Sequence, residues 1–171
     1  MTDHQVDAFR FTGRFIKKMM LQTIDNLSPP ADIPWTPVGR RLADARVALL
    51  TTAGISMRDD VPFDMERERA NPTWGDPSWR AVDATATSAV VSVDHLHIDT
   101  SYIKRDINVA LPLQCLADLV KAGIVGAAAS MHYSIMGFQG HDSSTLENVS
   151  APQIAQAMRD DRVDLAVLAP V

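Results

Sequence analysis

The side chains of this sequence that are best suited to chemistry are histidines that follow predicted strands. His95 and His97 come soon after the apolar run 89–93, and His132 with Tyr133 comes after the next apolar run. An imidazole exchanges protons near neutral pH, and a phenol hydroxyl donates or accepts a hydrogen bond. In α/β proteins, ligands bind at the carboxyl ends of the strands. We therefore predict that His95, His97, His132 and Tyr133 act there as proton donors or as groups that orient a substrate.

The same histidines permit a metal site as an alternative. His95, His97 and Asp99 alternate, so they would share one face if the strand continued through them. This pattern opens the metallo-hydrolase motif H-x-H-x-D-H, but Thr100 stands where the motif requires its last histidine. Two histidines on one face, together with His132, would still bind zinc and leave a position open for water. A zinc-dependent hydrolase is therefore the first alternative function, although we predict no metal.

Four apolar runs predict the strands that position these side chains, over residues 46–52, 89–93, 124–130 and 164–170. The first run is apolar nearly throughout, which is typical of a strand buried on both faces. Helical patterns separate the later runs: Pro112 begins a helix that Gly123 ends, and Ser150 caps another that has Pro152 in its first turn. Alternating strands and helices indicate right-handed crossovers onto a parallel sheet. We predict an α/β fold with a mainly parallel, Rossmann-like sheet and crossover helices.

The other segments predict a helical N-terminus, a long loop and an interrupted C-terminus. Residues 3–27 have apolar side chains at helical intervals and prolines after them, so we predict a helix and linker over residues 1–33 and one α/β domain over residues 34–171. Residues 56–88 are polar and irregular, and they predict a long loop. A buried parallel strand usually leads into another crossover, yet the sequence stops at Val171. We therefore predict that the C-terminal part of the domain is missing.

Composition and charge predict an ordinary protein of the cytoplasm. The chain has 171 residues, is 46% hydrophobic and carries a net charge of −5, which gives no electrostatic reason to expect nucleic acid or an anionic membrane as a partner. No apolar run reaches the ~20 residues that span a bilayer, and the N-terminus lacks a signal-peptide pattern. Cys115 is the single cysteine, which excludes an intrachain disulfide, and we predict that its side chain is buried in a helix.

Short pieces of sequence in a fixed order carry a resemblance to a known family. The pieces are Pro34-Trp35-Thr36-Pro37, residues 47–55, Pro62-Phe63-Asp64, Gly75-Asp76-Pro77-Ser78-Trp79-Arg80, Asp94-His95, Asp106-Ile107-Asn108, Leu111-Pro112, residues 123–126, His132-Tyr133-Ser134-Ile135-Met136-Gly137 and residues 163–171. Their order and spacing extend over about four fifths of the chain. The sequence resembles the selenoprotein B family of glycine, sarcosine and betaine reductases, which includes the selenoprotein subunit of D-proline reductase.

The resemblance implies a nucleophile that this sequence does not include. In the family a selenocysteine, or a cysteine in some relatives, follows the last strand, and here that position would come directly after Val171. Because selenocysteine is encoded by UGA, ordinarily a stop codon, we predict a family member truncated at that codon. The implied function is a subunit of a reductase that cleaves a carbon–nitrogen bond alpha to a carboxylate, with a selenolate or thiolate as the nucleophile. We expect the truncated chain to be inactive in that reaction.

The resemblance also implies a substrate and partners. The substrate would be a small amino acid or amine, and Arg58, Lys104 and Arg105 are candidate clamps for its carboxylate because of their charge and position. A partner subunit would carry a pyruvoyl group that activates the amino group in the glycine and proline systems, and we expect no cofactor in this chain itself. A non-catalytic subunit that only shapes a partner's active site is the second alternative function. Partner reductase subunits and a homo-oligomer are the expected assemblies.

Overall fold

The computed structural model describes residues 12–25, 35–71, 73–96, 98–140 and 142–171. Contacts divide the chain into residues 1–37 and residues 38–171, which we describe separately. In the first unit, helix α1 (Arg14–Asp25) begins directly after Gly13, because glycine is unfavourable inside a helix. The predicted helix is confirmed over this range, and its residues 3–11 and 26–27 lie outside the described residues.

The second unit is built on a sheet centred on strand β1. The strands are β1 (Arg46–Thr51), β2 (Ile55–Met57), β3 (Trp79–Asp83), β4 (Val91–Val93), β5 (Ala127–Ala128), β6 (Met131–Ile135) and β7 (Leu165–Ala169). Strands β5, β6 and β7 pair with β1 in parallel, and β3 pairs with β6 in the antiparallel sense. Strand β7 pairs along one edge of β1. Strands β5 and β6 share the other edge of β1, where β5 pairs with its first residues and β6 with its last residues. The predicted α/β class with a mainly parallel sheet is confirmed.

Helices cover both faces of the sheet. They are α2 (Met65–Ala70), α3 (Ser101–Arg105), α4 (Leu113–Lys121) and α5 (Ala151–Asp160). Successive residues of β1 point to opposite faces, so Val47 and Leu49 belong to the apolar core that α3 and α4 cover, whereas Ala48 packs in the core under α5. None of the helices in the described residues has the length and apolar character needed to cross a bilayer.

The sequence signals at the ends of α4 are confirmed, whereas the predicted cap of α5 by Ser150 is wrong. Pro112 directly precedes α4, and Gly123 follows its end with a φ of +69°, a conformation that glycine adopts without steric cost. Pro152 lies in the first turn of α5 as predicted. Ser150 does not cap this helix, because its backbone is already helical at the end of a π-helix over Leu146–Ser150 and its Oγ donates to the Pro77 oxygen. Ile154 of α5 is buried, as predicted from the helical spacing.

Two predicted strands differ from the observed ones. Residues 89–93 were expected in the parallel sheet, but β4 pairs with β2 in a separate two-stranded antiparallel sheet. Residues 124–130 were expected as one strand, but this strand is interrupted after Ala128. Val47 of β1 pairs with Ala128, and Leu50 of β1 pairs with Tyr133, so the strand beside β1 contains two extra residues between these pairs. The strand therefore resumes as β6 and includes residues that were predicted to follow it.

The predicted loop over residues 56–88 is wrong, because this segment contains most of β2, all of α2 and all of β3. Strand β3 alternates between half-buried and buried positions, and one of its buried side chains is the charged Arg80. The Arg80 guanidinium stacks over the Phe63 ring, 4.4 Å from its centroid, and donates hydrogen bonds to the backbone oxygens of Val61, Pro62 and Trp79. A buried arginine conceals the apolar alternation by which a strand is predicted.

Candidate functional site

The carboxyl ends of the parallel strands β1, β6 and β7 meet at one side of the sheet. We call this side, comprising residues 52–54, 136–137 and 170–171, the carboxyl edge. Here the Val171 N–H donates a hydrogen bond of 2.9 Å to Thr52 Oγ1, and the Thr52 N–H donates to the Ala169 oxygen at 3.4 Å. A Cβ atom on Gly137 would lie only 3.2 Å from Thr52 Oγ1, so the end of β6 also approaches this threonine. Thr52 therefore connects the ends of all three strands.

Gly54 brings the loop after β4 to the same edge. Its N–H donates to the Ile135 oxygen at 3.1 Å, and its own oxygen accepts the Asp94 N–H at 2.8 Å. The φ of Gly54 is +62°, and a Cβ atom there would lie 2.1 Å from the Asp94 backbone oxygen. Only glycine fits this crossing. Asp94 and the neighbouring His95 are thereby fixed beside the carboxyl edge.

Asp94 is the titratable residue of this edge that reasoning from the sequence missed. Its Oδ2 accepts the Phe63 N–H at 3.3 Å, and its side chain is half-buried. Burial raises the pKa of the Asp94 carboxyl, although Arg80, Arg69 and Lys104 pull that pKa in the other direction. The signal that could have identified it was the Asp94-His95 pair directly after an apolar run, in which we considered only the histidine.

His95 is the predicted proton donor that the structure places near the carboxyl edge. It follows Asp94 and is half-buried. Strand β4 ends at Val93, so the alternation expected to continue through His95 and Asp99 does not occur in an extended strand. His97 lies outside the described residues, and its predicted role stays a prediction.

His132 and Tyr133 lie inside β6, whereas the sequence predicted them after the strand. The His132 side chain is 1% exposed, and its Nδ1 accepts the Leu49 N–H at 3.0 Å, which takes the place of a backbone oxygen in the sheet where the strand is interrupted. Burial lowers the pKa of His132 to about 4, against the attraction of Asp161 and Asp83. The imidazole is therefore neutral at pH 7 and part of the sheet.

Tyr133 points to the other face of the sheet. Its ring packs against that of Trp79, with 5.8 Å between the centroids, in the core under α5. The side chain is 2% exposed, and burial is the largest of the causes that raise the pKa of its phenol. The structure therefore separates Tyr133 from both His132 and His95.

The described residues do not support the zinc alternative. They contain no group of three histidine, cysteine, aspartate or glutamate side chains that could hold a metal ion. Nδ1 of His132 already accepts the backbone N–H of Leu49 inside the sheet. Cys115 is exposed on α4, which corrects the prediction that it is buried.

The three predicted carboxylate clamps line an open cleft of about 620 Å³. This basic cleft lies between residues 84–89 and residues 104–108, with Arg58, Lys104 and Arg105 in its wall. Arg58 and Lys104 also line a second cleft, of about 470 Å³, which is bounded by β4 and Asp94 and which we call the edge cleft. Arg105 belongs to the basic cleft and does not line the edge cleft. Two of the three clamps are thus brought together with Asp94.

Comparisons with known proteins identify the family of this chain. The family model for glycine/sarcosine/betaine reductase selenoprotein B matches residues 13–170. The chain is also similar to the D-proline reductase subunit gamma of Acetoanaerobium sticklandii, with 29% identity over 153 residues. That match covers 90% of this chain and 59% of the relative, so the chain spans well under two thirds of the relative's length. No solved structure matches. The chain belongs to the glycine/sarcosine/betaine reductase selenoprotein B family.

Proposed function

We propose that this chain is part of a reductase subunit that cleaves a carbon–nitrogen bond alpha to a carboxylate. The family, and a relative whose name is D-proline reductase subunit gamma, support a place in a complex with other reductase subunits. The proposed substrate is a small amino acid or amine of the glycine, sarcosine, betaine or D-proline type. We further propose that a partner subunit carries a pyruvoyl group, that the complex works in the cytoplasm and that the 171-residue chain is inactive alone.

The observation that carries this proposal is the position of Val171. The long parallel strands have the spatial order β6–β1–β7, so the chain passes from one side of β1 to the other between β6 and β7. In doubly wound, Rossmann-like sheets, such a reversal of strand order opens a crevice at the carboxyl ends of two neighbouring strands, and ligands bind there. Here the two neighbouring strands would be β1 and β7. The Val171 N–H bonds to Thr52 Oγ1 at this place. A residue that follows Val171 would therefore enter the crevice between β1 and β7.

The residues at this edge fit a reactive side chain in that position. Thr52 fixes the end of β7, and the glycines at positions 54 and 137 leave room where a Cβ atom would crowd the crossing backbones. A selenocysteine or cysteine directly after Val171 would supply an ionised nucleophile for displacement of the amine, and a dithiol would supply the two electrons of the overall cleavage. In this proposal Arg58 and Lys104 bind the substrate carboxylate, and His95 supplies a proton to the departing amine.

The other predicted residues receive structural or open roles. His132 and Tyr133 stabilise the sheet and do not reach the substrate in this proposal, because both are buried within β6. Arg105 contributes positive charge to the basic cleft. We also propose that residues 1–33 form a helix and linker ahead of an α/β domain that begins at residue 34, and that the complete subunit forms a homo-oligomer.

The proposal is tested by amine release from a reconstituted complex. The gene would be read past the Val171 codon, and the extended subunit would be purified with its partner subunits and assayed with dithiothreitol as the dithiol. We expect turnover by the extended form and none by the 171-residue form. A matched extended form with alanine directly after Val171 serves as the control and should also be inactive. Turnover by either inactive form would overturn the proposal.

A further inference from the structure

Opposite charges face the edge cleft without touching each other. Asp94 lies at one end of the cleft, Arg58 and Lys104 line its wall, and residues of β4 line the space between. No ion pair within 4 Å joins Asp94 to Arg58 or Lys104 in the part of the chain that the structure describes. The cleft, of about 470 Å³, is within the size range of small-molecule sites. Charges of both signs are therefore presented to the same small space.

Among the residues that the structure describes, one oxygen of the Asp94 carboxylate accepts a backbone hydrogen bond. That oxygen is Oδ2, which accepts the Phe63 N–H at 3.3 Å. Lys104 is close enough to lower the pKa of Asp94 by its charge, so the two ends of the cleft interact across it. Because the side chain is half-buried, a charged partner for its carboxylate would be screened less than at the surface. Asp94 therefore presents negative charge to the cleft, and Arg58 and Lys104 present positive charge to it.

We propose that Asp94 is the specificity-determining residue that receives the ammonium group of a small zwitterion, whose carboxylate lies on Lys104 and Arg58. An ammonium group has three N–H donors, and an ionised carboxylate is an acceptor for several of them. A plain carboxylic acid would leave Asp94 without a partner, and a plain amine would leave the two cations without one. Either loss is costly in a partly desolvated site. The inference rests on the proposed function only in identifying this zwitterion with the amino acid substrate as it first binds, before the partner's pyruvoyl group activates its amino group.

The inference is tested by binding of glycine to the 171-residue chain, followed by ¹H–¹⁵N NMR. The amide signal of Phe63, whose N–H bonds to Asp94, should move as glycine is added, together with that of Gly54. Asp94→Asn keeps an oxygen for the Phe63 N–H but removes the charge, and we expect it to weaken glycine binding at least tenfold. Lys104→Met should weaken it from the other end of the cleft. Asp99→Asn is the matched control, because Asp99 is exposed, and it should bind glycine as the unaltered chain does.

Comparison of acetate with glycine distinguishes a site for a zwitterion from a site for a negative charge alone. Acetate binding should be unchanged or tighter in Asp94→Asn, whereas glycine binding should be weaker by at least tenfold. Equal affinity for glycine in Asp94→Asn and the unaltered chain would overturn the inference, and so would unmoved Phe63 and Gly54 signals at saturating glycine. These measurements follow binding and not turnover. A complete complex that binds glycine but releases no amine would contradict the proposed function and leave this inference standing.

Discussion

Acid should destabilise the protein through one buried imidazole, that of His132. The side chain is 1% exposed, and its Nδ1 accepts the Leu49 N–H, which it can do only while that nitrogen carries no proton. Burial lowers the pKa from 6.5 to about 4 in the folded protein. Between these values the unfolded chain binds the proton and the folded chain does not, so stability falls as the pH falls. The contribution is fully present above pH 6.5 and is lost as the pH approaches 4.

The size of the effect follows from the pKa difference. A pKa that falls from 6.5 to about 4 corresponds to ~3 kcal/mol of unfolding free energy, at ~1.4 kcal/mol for each tenfold change in proton affinity. Urea unfolding followed by circular dichroism at pH 7.5 and pH 4.5 measures most of that difference. This loss of unfolding free energy is a large share of the 5–15 kcal/mol typical of a whole domain, so the urea concentration at the unfolding midpoint should be clearly lower at pH 4.5 than at pH 7.5.

A matched variant isolates His132 from the other titrating groups. In His132→Asn, the amide oxygen can accept the Leu49 N–H but does not titrate, so the variant should lose much less stability between pH 7.5 and pH 4.5. His95 is present in both proteins and contributes equally to each. An identical pH dependence of the unfolding free energy in the two proteins would refute the assignment of the buried, neutral imidazole.

Two further substitutions test the packing that holds the carboxyl edge. Gly54→Ala places a Cβ atom 2.1 Å from a backbone oxygen and forces a positive φ on alanine. It should therefore lower the unfolding free energy measured in urea titrations by ~2 kcal/mol or more. Gly39→Ala is the control and should change the unfolding free energy little, because its Cβ atom would meet nothing within 4 Å. Arg80→Lys removes most of the hydrogen bonds from the guanidinium to the backbone oxygens of residues 61 and 62, so it should lower the unfolding free energy by ~3 kcal/mol. Thermal unfolding measures this loss, and Arg41→Lys at an exposed position is the control. Equal melting temperatures for the two lysine variants would contradict the role of Arg80.

The parts of the fold that the sequence predicted are those with a local physical signal. Strand β1 is apolar because both of its faces are buried, and α4 and α5 have proline at their starts. The strand over residues 79–83 was missed because its inward-facing residue is an arginine that satisfies its charge with backbone oxygens. Nothing local in the sequence distinguishes such an arginine from one at the surface.

The candidate site was predicted by residue type more accurately than by place. His95 lies at the predicted edge. His132 was wrongly assigned to that edge, because the interruption that brings it into β6 depends on the pairing with β1 and not on the local sequence. Arg58 and Lys104 were chosen for their charge and their position in the sequence, and their convergence with Asp94 arises from contacts between β2, β4 and α3. Such convergence is a property of tertiary structure.

The nucleotides that follow the Val171 codon, together with the mass of the protein made from the native gene, test the central claim most directly. The proposed position of the nucleophile is directly after Val171, at the crevice beside Thr52. This claim predicts a UGA or cysteine codon at the next position, an open frame that continues beyond it, and a protein heavier than 18.7 kDa that contains selenium or an additional thiol. A UAA or UAG codon there, or a continuation without selenocysteine or cysteine, would contradict it.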